Sequence, residues 1–374
     1  MKLRCFTSLV ATMVMASTTA GAAEVYNKDG NILNMFGSII GGHYFSRENT
    51  KDGDNSFLRY GFSGKTYVND KIVGFGMWEH EISLKNVEGI NVSNSGKVLL
   101  GYAGIKFGDF GSIDYGRNYG VLYDVGSWTD VIPGFGGDIS LIDNFLSNRS
   151  SNVVTYRNKD LFGFVNGLDF ALQYQGKNDV NKETGRTLKT ANGEGYGVSA
   201  SYALDNGFAA SAAYANSKRI FEQNVLDNNG GGGNDNAEAF SFGIKYDGKG
   251  MYVAATYGET YNMTPFGSFC DNITPENIYG FVNKAKNVEL VAQYQFDFGL
   301  RPSVSYLHSK VSDLESGYSN FLKKCITVGT SYVFNKNICT TIDYRIDLLN
   351  KNSFTDASNI NPDDIIALGV AYVF

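Results

Sequence analysis

The residues of this chain best suited to catalysis are its three histidines, His43, His80 and His308. A hydrolase would need one of them beside a nucleophile or an activated water molecule. Under the two-residue alternation of a strand, His80 shares a face with Trp78 and points away from its neighbour Glu79. No G-x-S-x-G or H-E-x-x-H motif and no phosphate-cradling loop occurs in the sequence. We therefore expect no enzyme activity, no metal and no cofactor.

The four cysteines, Cys5, Cys270, Cys325 and Cys339, predict no redox or metal site either. Cys5 lies in an N-terminal leader, so three would remain, and an odd number forms no complete disulfide framework. Cys325 and Cys339 flank the turn at residues 335–337 unequally and should not face each other. We interpret the remaining cysteines as small, partly buried side chains.

The charged residues show a clearer pattern, because they fall on one face of alternating segments. Arg59 shares its parity with Gly61 and Ser63, whereas Leu58 and Tyr60 occupy the other parity. In a strand these two sets point to opposite sides. The pattern indicates side chains that line water on one side of a sheet and an apolar medium on the other.

The C-terminal segment shows which kind of sheet this is. Residues 365–374 present an apolar ridge on one face, formed by Ile366, Leu368, Val370, Tyr372 and Phe374. A soluble edge strand would usually blunt such a ridge with lysine or proline, and this one has neither. The segment is typical of the closing strand of an outer-membrane barrel.

Similar two-residue alternation recurs in residues 240–246, 288–296 and 342–348. A soluble β-sandwich could share this alternation with its apolar face inward. The aromatic excess near strand ends, with 24 Tyr and 26 Phe in the chain, instead favours the interfacial girdles of a membrane barrel. At the midplane of a bilayer an arginine facing lipid costs about 2–4 kcal/mol, so Arg59 should face the wet side.

The connections alternate between short and long. Tight-turn sequences occur at Asn69-Asp70, Asp205-Asn206-Gly207, Asp247-Gly248 and Asn335-Lys336, and long polar segments at 118–150, 177–193, 218–235 and 260–284. This asymmetry is typical of barrels with short periplasmic turns and long outer loops. The spacing predicts an all-β fold, an antiparallel transmembrane β-barrel of sixteen strands in a single domain over residues 23–374; an odd count or eighteen strands stays open.

The N-terminus and the overall charge agree with export. Residues 1–22 run from a basic start through an apolar stretch to Ala20-Gly21-Ala22, which predicts a signal peptide cleaved after Ala22. The chain has 32 basic and 38 acidic residues, a net charge of −6. The leader carries Lys2 and Arg4 and no acid, so its removal gives −8. Such a chain lacks the basic footprint of a nucleic-acid-binding protein.

Several runs of sequence resemble the general diffusion porins of Gram-negative enterobacterial outer membranes. They are AEVYNKDGN, FGSIDYGRNYGVLYD, PGFGGD, YGETYNMTP, LVAQYQFDFGLRPSVSY and YVFNKN, and they are spread over the chain from residue 23 onward. The resemblance implies a homotrimer in the outer membrane, surrounded by lipid and lipopolysaccharide. Each subunit would form a water-filled pore for ions and small hydrophilic solutes.

In that family the third outer loop folds into the barrel and narrows the pore. The matching segment here is 118–150, about 33 residues long with PGFGGD at its centre, and a loop of that length is usually functional. Without the resemblance, an ordinary mobile outer loop would be an equal alternative. The family places acids on this loop opposite basic residues on the wall, which gives a transverse field in a narrow passage.

The resemblance assigns individual residues to this constriction. The loop acids match Asp130 and Asp138, the wall cations match Arg59 and Arg149, and a wall carboxylate matches Glu79.

At three further positions of the lumen or constriction rim this chain departs from the family pattern. Gly134 replaces a loop acid, and Ser38 and Leu99 replace wall cations, while Lys97 shares a face with Leu99 and could compensate in part. We therefore hypothesise a slightly wider pore with a weaker transverse field and a weak preference for cations.

The resemblance also implies a latch between subunits. An acid on the second outer loop of the family pairs with an arginine of a neighbouring subunit, and Glu88 and Arg117 match these positions. Two unrelated exposed charges are the alternative, and exposed ion pairs contribute only about 0–1 kcal/mol. Most of the stability of a trimer should come from apolar contacts between barrels.

Two other functions remain in competition. A substrate-specific channel would use a continuous aromatic track along its lumen, but the Tyr and Phe residues here fall mainly on the predicted lipid face or at strand ends. An adhesin or a purely structural barrel would not need the loop and wall charges.

Overall fold

The structure is a computed structural model. It describes residues 22–48, 51–88, 96–135, 143–228, 236–267, 279–312, 321–358, 360 and 362–374. The predicted signal peptide, apart from Ala22, and the residues Asp138 and Cys270 lie outside these ranges. Among the described residues no helix is both long enough and apolar enough to cross a membrane.

Strands dominate the described chain. They are β1 (Ala23–Lys28), β2 (Asn31–Ser46), β3 (Gly53–Asp54), β4 (Phe57–Tyr67), β5 (Ile72–Ser83), β6 (Gly96–Phe107), β7 (Ser112–Tyr119), β8 (Arg149–Asn158), β9 (Leu168–Gln175), β10 (Gly195–Ala203), β11 (Phe208–Lys218), β12 (Asn236–Gly248), β13 (Met251–Gly267), β14 (Tyr279–Tyr294), β15 (Leu300–Ser312), β16 (Phe321–Val333), β17 (Ile338–Asp347) and β18 (Ile365–Val373). Short helical segments are α1 (Tyr123–Gly126), α2 (Asp160–Gly163), α3 (Phe221–Asn228), α4 (Ser353–Ala357) and a 3₁₀ turn at Gly108–Phe110.

These eighteen strand segments form one closed barrel of sixteen staves, a stave being one position around the barrel. Consecutive segments pair antiparallel, and β18 closes the ring by pairing with β2. Two staves are each made of two segments. β3 and β4 both pair with one edge of β2, while β1 and β18 follow one another along its other edge. The predicted sixteen-stranded antiparallel barrel is therefore confirmed.

The two ends of the strand region meet in one stave. Along β2, Met35 pairs with Ala23 of β1 and Ser38 pairs with Val373 of β18. Between them, Gly37 and Phe374 exchange backbone hydrogen bonds of 3.0 and 2.9 Å. The ladder thus continues from one chain end to the other, and the backbone groups that neither end could satisfy alone are paired.

The faces of the barrel follow the predicted alternation. In β18, Val370 is 50% exposed and Ala371 is 5% exposed. Large apolar side chains cover the outside, and the inward positions are mostly small or polar. Buried apolar clusters form inside the barrel, where side chains of residues 119–135 and 143–148 pack against the wall.

Three of the four predicted tight turns lie between the expected strands, and one is displaced. The hairpin between β12 and β13 turns at Lys249 and Gly250, two residues after the predicted Asp247-Gly248. Both turn residues have positive φ, 54° and 78°, as the two central residues of a type I′ hairpin require. The Asp-Gly pair extends the ladder instead, with Gly248 paired to Met251.

Closure of the barrel predicts that alanine destabilises the protein far more at one glycine of β2, Gly37, than at another, Gly41. A Cβ added at Gly37 would lie 2.7 Å from the Arg59 carbonyl oxygen and 2.6 Å from the Phe374 ring, whereas at Gly41 the nearest atom is 3.4 Å away. We expect Gly37→Ala to destabilise the barrel by about 1–3 kcal/mol, as overpacking does, and Gly41→Ala to have little effect. The temperature at which the folded band disappears on SDS gels measures this. Equal melting of the two variants would contradict the closure argument.

Candidate pore constriction

Residues 119–135, which leave β7 and run inside the barrel, form the described arm of the predicted inserted loop. The strands that face the start of the arm are β10, β11 and β12. Their inward residues beside it are glycine, alanine or serine, which leaves room for the arm. A Cβ at Gly197 would lie 2.6 Å from Val121, and one at Gly243 would lie 3.0 Å from Val125. Val121 and Val125 are fully buried in this contact.

Hydrogen bonds then hold the arm to β13 and β14. The Thr129 hydroxyl donates to a Glu289 carboxylate oxygen at 2.6 Å. The Tyr252 hydroxyl donates to the Trp128 carbonyl at 2.7 Å, and the Gln293 amide donates to the Val131 carbonyl at 3.1 Å. Residues 128–131 therefore lie against one side of the barrel wall.

The far end of the arm is attached at Gly134. Its N–H donates to the Asp343 carboxylate at 2.8 Å, and its carbonyl accepts from the Tyr44 hydroxyl at 2.6 Å. A Cβ at this position would lie 2.8 Å from Asp343 and 2.9 Å from Ala367. Glycine thus allows the backbone to approach β17 and β18 closely. Gly134, predicted as a lumen or rim residue, is a point of attachment to the wall.

The opposite side of the barrel carries the predicted wall charges. Arg59 on β4 donates to Glu81 on β5 at 2.6 and 3.2 Å, and its Nε lies 3.6 Å from Glu79. Lys97 on β6 pairs with Glu81 at 2.7 Å. These two cations and two carboxylates largely neutralise each other. They lie on staves three-eighths to one-half of the circumference away from β13 and β14, the strands that bind residues 128–131.

A β-bulge between β5 and β6 changes the surroundings of Glu79. The register shifts there, so Glu79 faces Leu100 and Leu99 is the extra residue of β6. Leu99 is 2% exposed, and it packs in the wall instead of lining the lumen as the sequence had suggested. Glu79 is fully buried, and its carboxylate oxygens have no hydrogen-bond partner. Ser38 is half-buried and pairs in register with Arg59.

Asp130 and Arg149 lie near the two ends of an aromatic pair. The Tyr123 hydroxyl donates to Asp130 at 2.5 Å, and the Tyr123 ring stacks on Tyr119 with 4.6 Å between ring centroids. Tyr119 pairs in register with Arg149. Burial and the nearby Asp130 charge raise the pKa of Tyr123, so it stays a neutral donor. Among the described residues Arg149 makes no direct ion pair, but its charge acts on the buried Glu79 carboxylate.

The two residues of the predicted latch between subunits lie on separate parts of one chain. Glu88 is exposed at the end of the described β5–β6 connection. Arg117 binds groups of its own chain, since its guanidinium contacts Asp143 and donates to Ser151 at 2.8 Å and to the carbonyl oxygens of Val98 and Leu99 at 3.0 Å.

Comparison with known proteins agrees with this architecture. The family model described as Gram-negative porin matches residues 28–374. This chain belongs to that family. It is 50% identical to outer membrane porin C of Salmonella typhimurium over the whole of both chains, and 46% identical to outer membrane porin N of Escherichia coli K12 over 98% of each. The solved structure of Salmonella typhi OmpF in complex with daunomycin is 40% identical, with a TM-score of 0.83 over 94% of this chain and all of that one.

Membership of the family establishes the broad nature of the protein. It is a porin of the outer membrane and a channel protein, not an enzyme. His80 lies on the outer face of the barrel and stacks on Trp78, as the alternation of the strand predicted. Cys325 and Cys339 are both free.

Sequence reasoning missed the wall residues that hold the loop, namely Tyr44, Tyr252, Glu289, Gln293 and Asp343. Each occupies an inward position of its strand, where a polar residue also suits a water-filled lumen, so polarity alone did not single them out. A usable signal was the run of Gly, Ala and Ser at successive inward positions of β10, β11 and β12. Small residues on neighbouring strands leave a gap that some other segment must fill.

The attachment of Gly134 gives a testable prediction. Asp343→Ala removes the acceptor of the Gly134 N–H, and a hydrogen bond to a charged group contributes about 1.5–3 kcal/mol. We expect noisier open-channel current and more frequent closures in planar-bilayer recordings. Asp343→Asn is the matched control, since its amide oxygen can still accept, and it should behave nearly as wild type. Identical records from all three proteins would show that this contact does not hold the loop.

Proposed function

We propose that this porin is a general diffusion pore for ions and small hydrophilic solutes, exported by a signal peptide that ends at Ala22. The observation that supports this best is the loop arm fixed inside a closed barrel, which narrows the lumen and leaves the opposite wall lined by charge. Such an arrangement selects by diameter and lining charge, without a binding pocket for one substrate.

We assign the constriction to Arg59, Glu79, Arg149 and the loop acids Asp130 and Asp138. Arg59 is compensated by two carboxylates, and Asp130 adds negative charge on the loop side. The wall cluster therefore offers an anion little net attraction. This supports a weak cation preference, as the missing wall cations at Ser38 and Leu99 also do.

Charge substitutions test the selectivity. Asp130→Asn should lower the cation-to-anion permeability ratio and Arg149→Gln should raise it, each by about two- to fivefold, because a unit charge contributes about 1 kcal/mol or less to an ion a few Å away in water. Reversal potentials in a KCl gradient measure this ratio. Lys310→Gln, on the outer face of the barrel, is the control. An anion preference of the wild type would refute the proposal.

Uptake of neutral sugars into liposomes separates a general pore from a specific channel. A general pore gives rates that fall smoothly with solute size, whereas saturation by one sugar would favour a substrate-specific channel.

We also propose that three copies assemble and that their outer rim binds lipopolysaccharide. The lipid contact is the outer lysine patch, which we define as Lys286, Lys310 and Lys324 on the adjacent strands β14, β15 and β16. Lys286 pairs in register with Lys310. Lys310 and Lys324 lie 5.9 and 5.0 Å from the centroid of the Phe321 ring. The one acid close to the patch is Glu259, 3.9 Å from Lys286, among the described residues.

The patch faces outward, because its lysines share a strand face with the exposed Leu290 and Val304. It lies near the ends of β15 and β16 that lead into the long outer connection 313–320. Basic side chains at this level of a membrane meet anionic head groups, at about 1 kcal/mol each. Phosphate groups of lipopolysaccharide fit both the charge and the position.

The predicted latch between subunits would pair Glu88 of one copy with Arg117 of a neighbouring copy. Arg117 would then have to share its bond to Asp143.

Native mass spectrometry from detergent tests both proposals together. The wild type should show three chains with bound lipopolysaccharide, and the triple variant Lys286→Gln, Lys310→Gln, Lys324→Gln should keep three chains and lose most of the lipid. A single-chain mass would refute the trimer, and unchanged lipid would refute the patch.

A further inference from the structure

A cavity on the outer side of the loop attachment is the feature of the lumen that the constriction does not explain. It has a volume of about 350 Å³, and Phe135, Leu307, Leu322, Lys323, Arg345 and Asp347 line it. Arg345 lies two residues beyond Asp343 on β17, toward the strand end that leads into the long outer connection 348–364. We call this space the outer vestibule cavity. It lies in the path of a solute that enters from outside.

Arg345 is the chemically distinctive group of the cavity. Among the described residues it makes no hydrogen bond and no ion pair, and its Nε is buried without a partner. Its guanidinium carbon lies 4.8 Å from the centroid of the Phe135 ring. The Phe135 ring is thus a cation–π neighbour of the guanidinium, which carries five N–H donors in a planar fork. Those donors suit the two oxygens of a carboxylate.

Two cations of the opposite wall differ in this respect. Arg59 and Lys97 share Glu81. Their charges are already matched by protein carboxylates, so an arriving anion would have to compete for them. Arg345 requires no such exchange. It also lies on the loop side of the barrel, away from the wall charges that the sequence pointed to.

The remaining lining defines what an anion could carry with it. Leu307 and Leu322 are each 8% exposed and form an apolar side together with the Phe135 ring. The volume is at the lower end of the range for small-molecule pockets, about 300–1,000 Å³. A compact body with one ring or a branched chain fits this space and can pack against the apolar side.

The charged residues around the cavity favour an anion. Its basic lining residues are Arg345, Lys323, Lys324 and Lys51, and its acidic ones are Asp347 and Glu48. Glu48 is paired with Lys51 at 2.5 Å, and an Asp347 oxygen accepts from the Leu349 N–H at 2.9 Å. Among the described lining residues the basic side chains outnumber the acidic ones, so an anion is favoured near Arg345. A dianion would meet Asp347 with its second charge.

We propose that the outer vestibule cavity is a binding subsite for small apolar monocarboxylates, with Arg345 binding the carboxylate and Phe135, Leu307 and Leu322 packing against the body. The subsite rests on the proposed pore function, since it would hold such solutes just outside the constriction. A bound solute obstructs part of the lumen, so its residence is measurable as a reduction of the KCl current.

Benzoate added on the outer side of a planar bilayer is the direct probe, and benzamide is its neutral match. Benzoate should reduce the wild-type current in a saturable manner, and benzamide should have little effect. In Arg345→Gln the half-blocking concentration should rise about tenfold, as expected for the loss of one charge-assisted pair. Lys310→Gln is the matched control, because Lys310 lies on the neighbouring strand β15, faces outward with Val304 and does not line the cavity. Its block should equal that of the wild type.

Arg345→Lys keeps the test decisive if the glutamine variant does not fold. It retains the charge beside Phe135 but loses the planar pair of donors, so block should weaken several-fold with KCl conductance unchanged. Benzoate block that is the same in wild type and in the folded Arg345 variants would overturn the subsite, as would equal block by benzamide. The absence of any KCl current from the wild type would instead overturn the pore function itself.

Discussion

Every strand of this porin depends on one constraint: a backbone N–H or C=O group that faces lipid must be hydrogen-bonded within the protein. A sheet with free edges cannot meet that constraint, so the first and last strands must be joined. Here β1 and β18 together form the joining stave along β2, and Gly37 and Phe374 complete the ladder between them. The lack of a side chain at Gly37 makes room for the Phe374 ring, so one glycine and the terminal aromatic residue matter to the entire barrel.

Closure of the ring creates an interior, and the size of the inward side chains decides what occupies it. On β10 to β12 these side chains are small, and residues 121–125 fill the space they leave. On β13, β14 and β17 they include polar residues, and Tyr252, Gln293 and Asp343 bind the loop backbone. The loop is thus held along its length by packing at its start and hydrogen bonds at its middle and end. Its attachment is a property of the wall as much as of the loop.

The charges divide the lumen into regions of different character. On β4 to β6 the cations are compensated by Glu79 and Glu81, so that wall is charged but nearly neutral overall. Arg149 and Arg345 carry charge without an ion pair among the described residues, and each lies beside an aromatic side chain, Tyr119 or Phe135. An account of selectivity based on loop acids and wall cations alone omits Arg345, because it lies on the loop side of the lumen.

The sequence by itself determined the barrel, a count of about sixteen strands and which residues face outward, because alternation and turn chemistry are local properties of the chain. It also placed Arg59 on the wet face. The segment that enters the lumen was predicted only through the resemblance to a family. Only the tertiary structure decided the bulge that buries Leu99, the attachment of Gly134 to Asp343, and the meeting of Arg345 with Phe135. These features join residues from about 20 to more than 200 positions apart, and the pattern of a single strand carries no information about which residue of another strand or loop will lie against it.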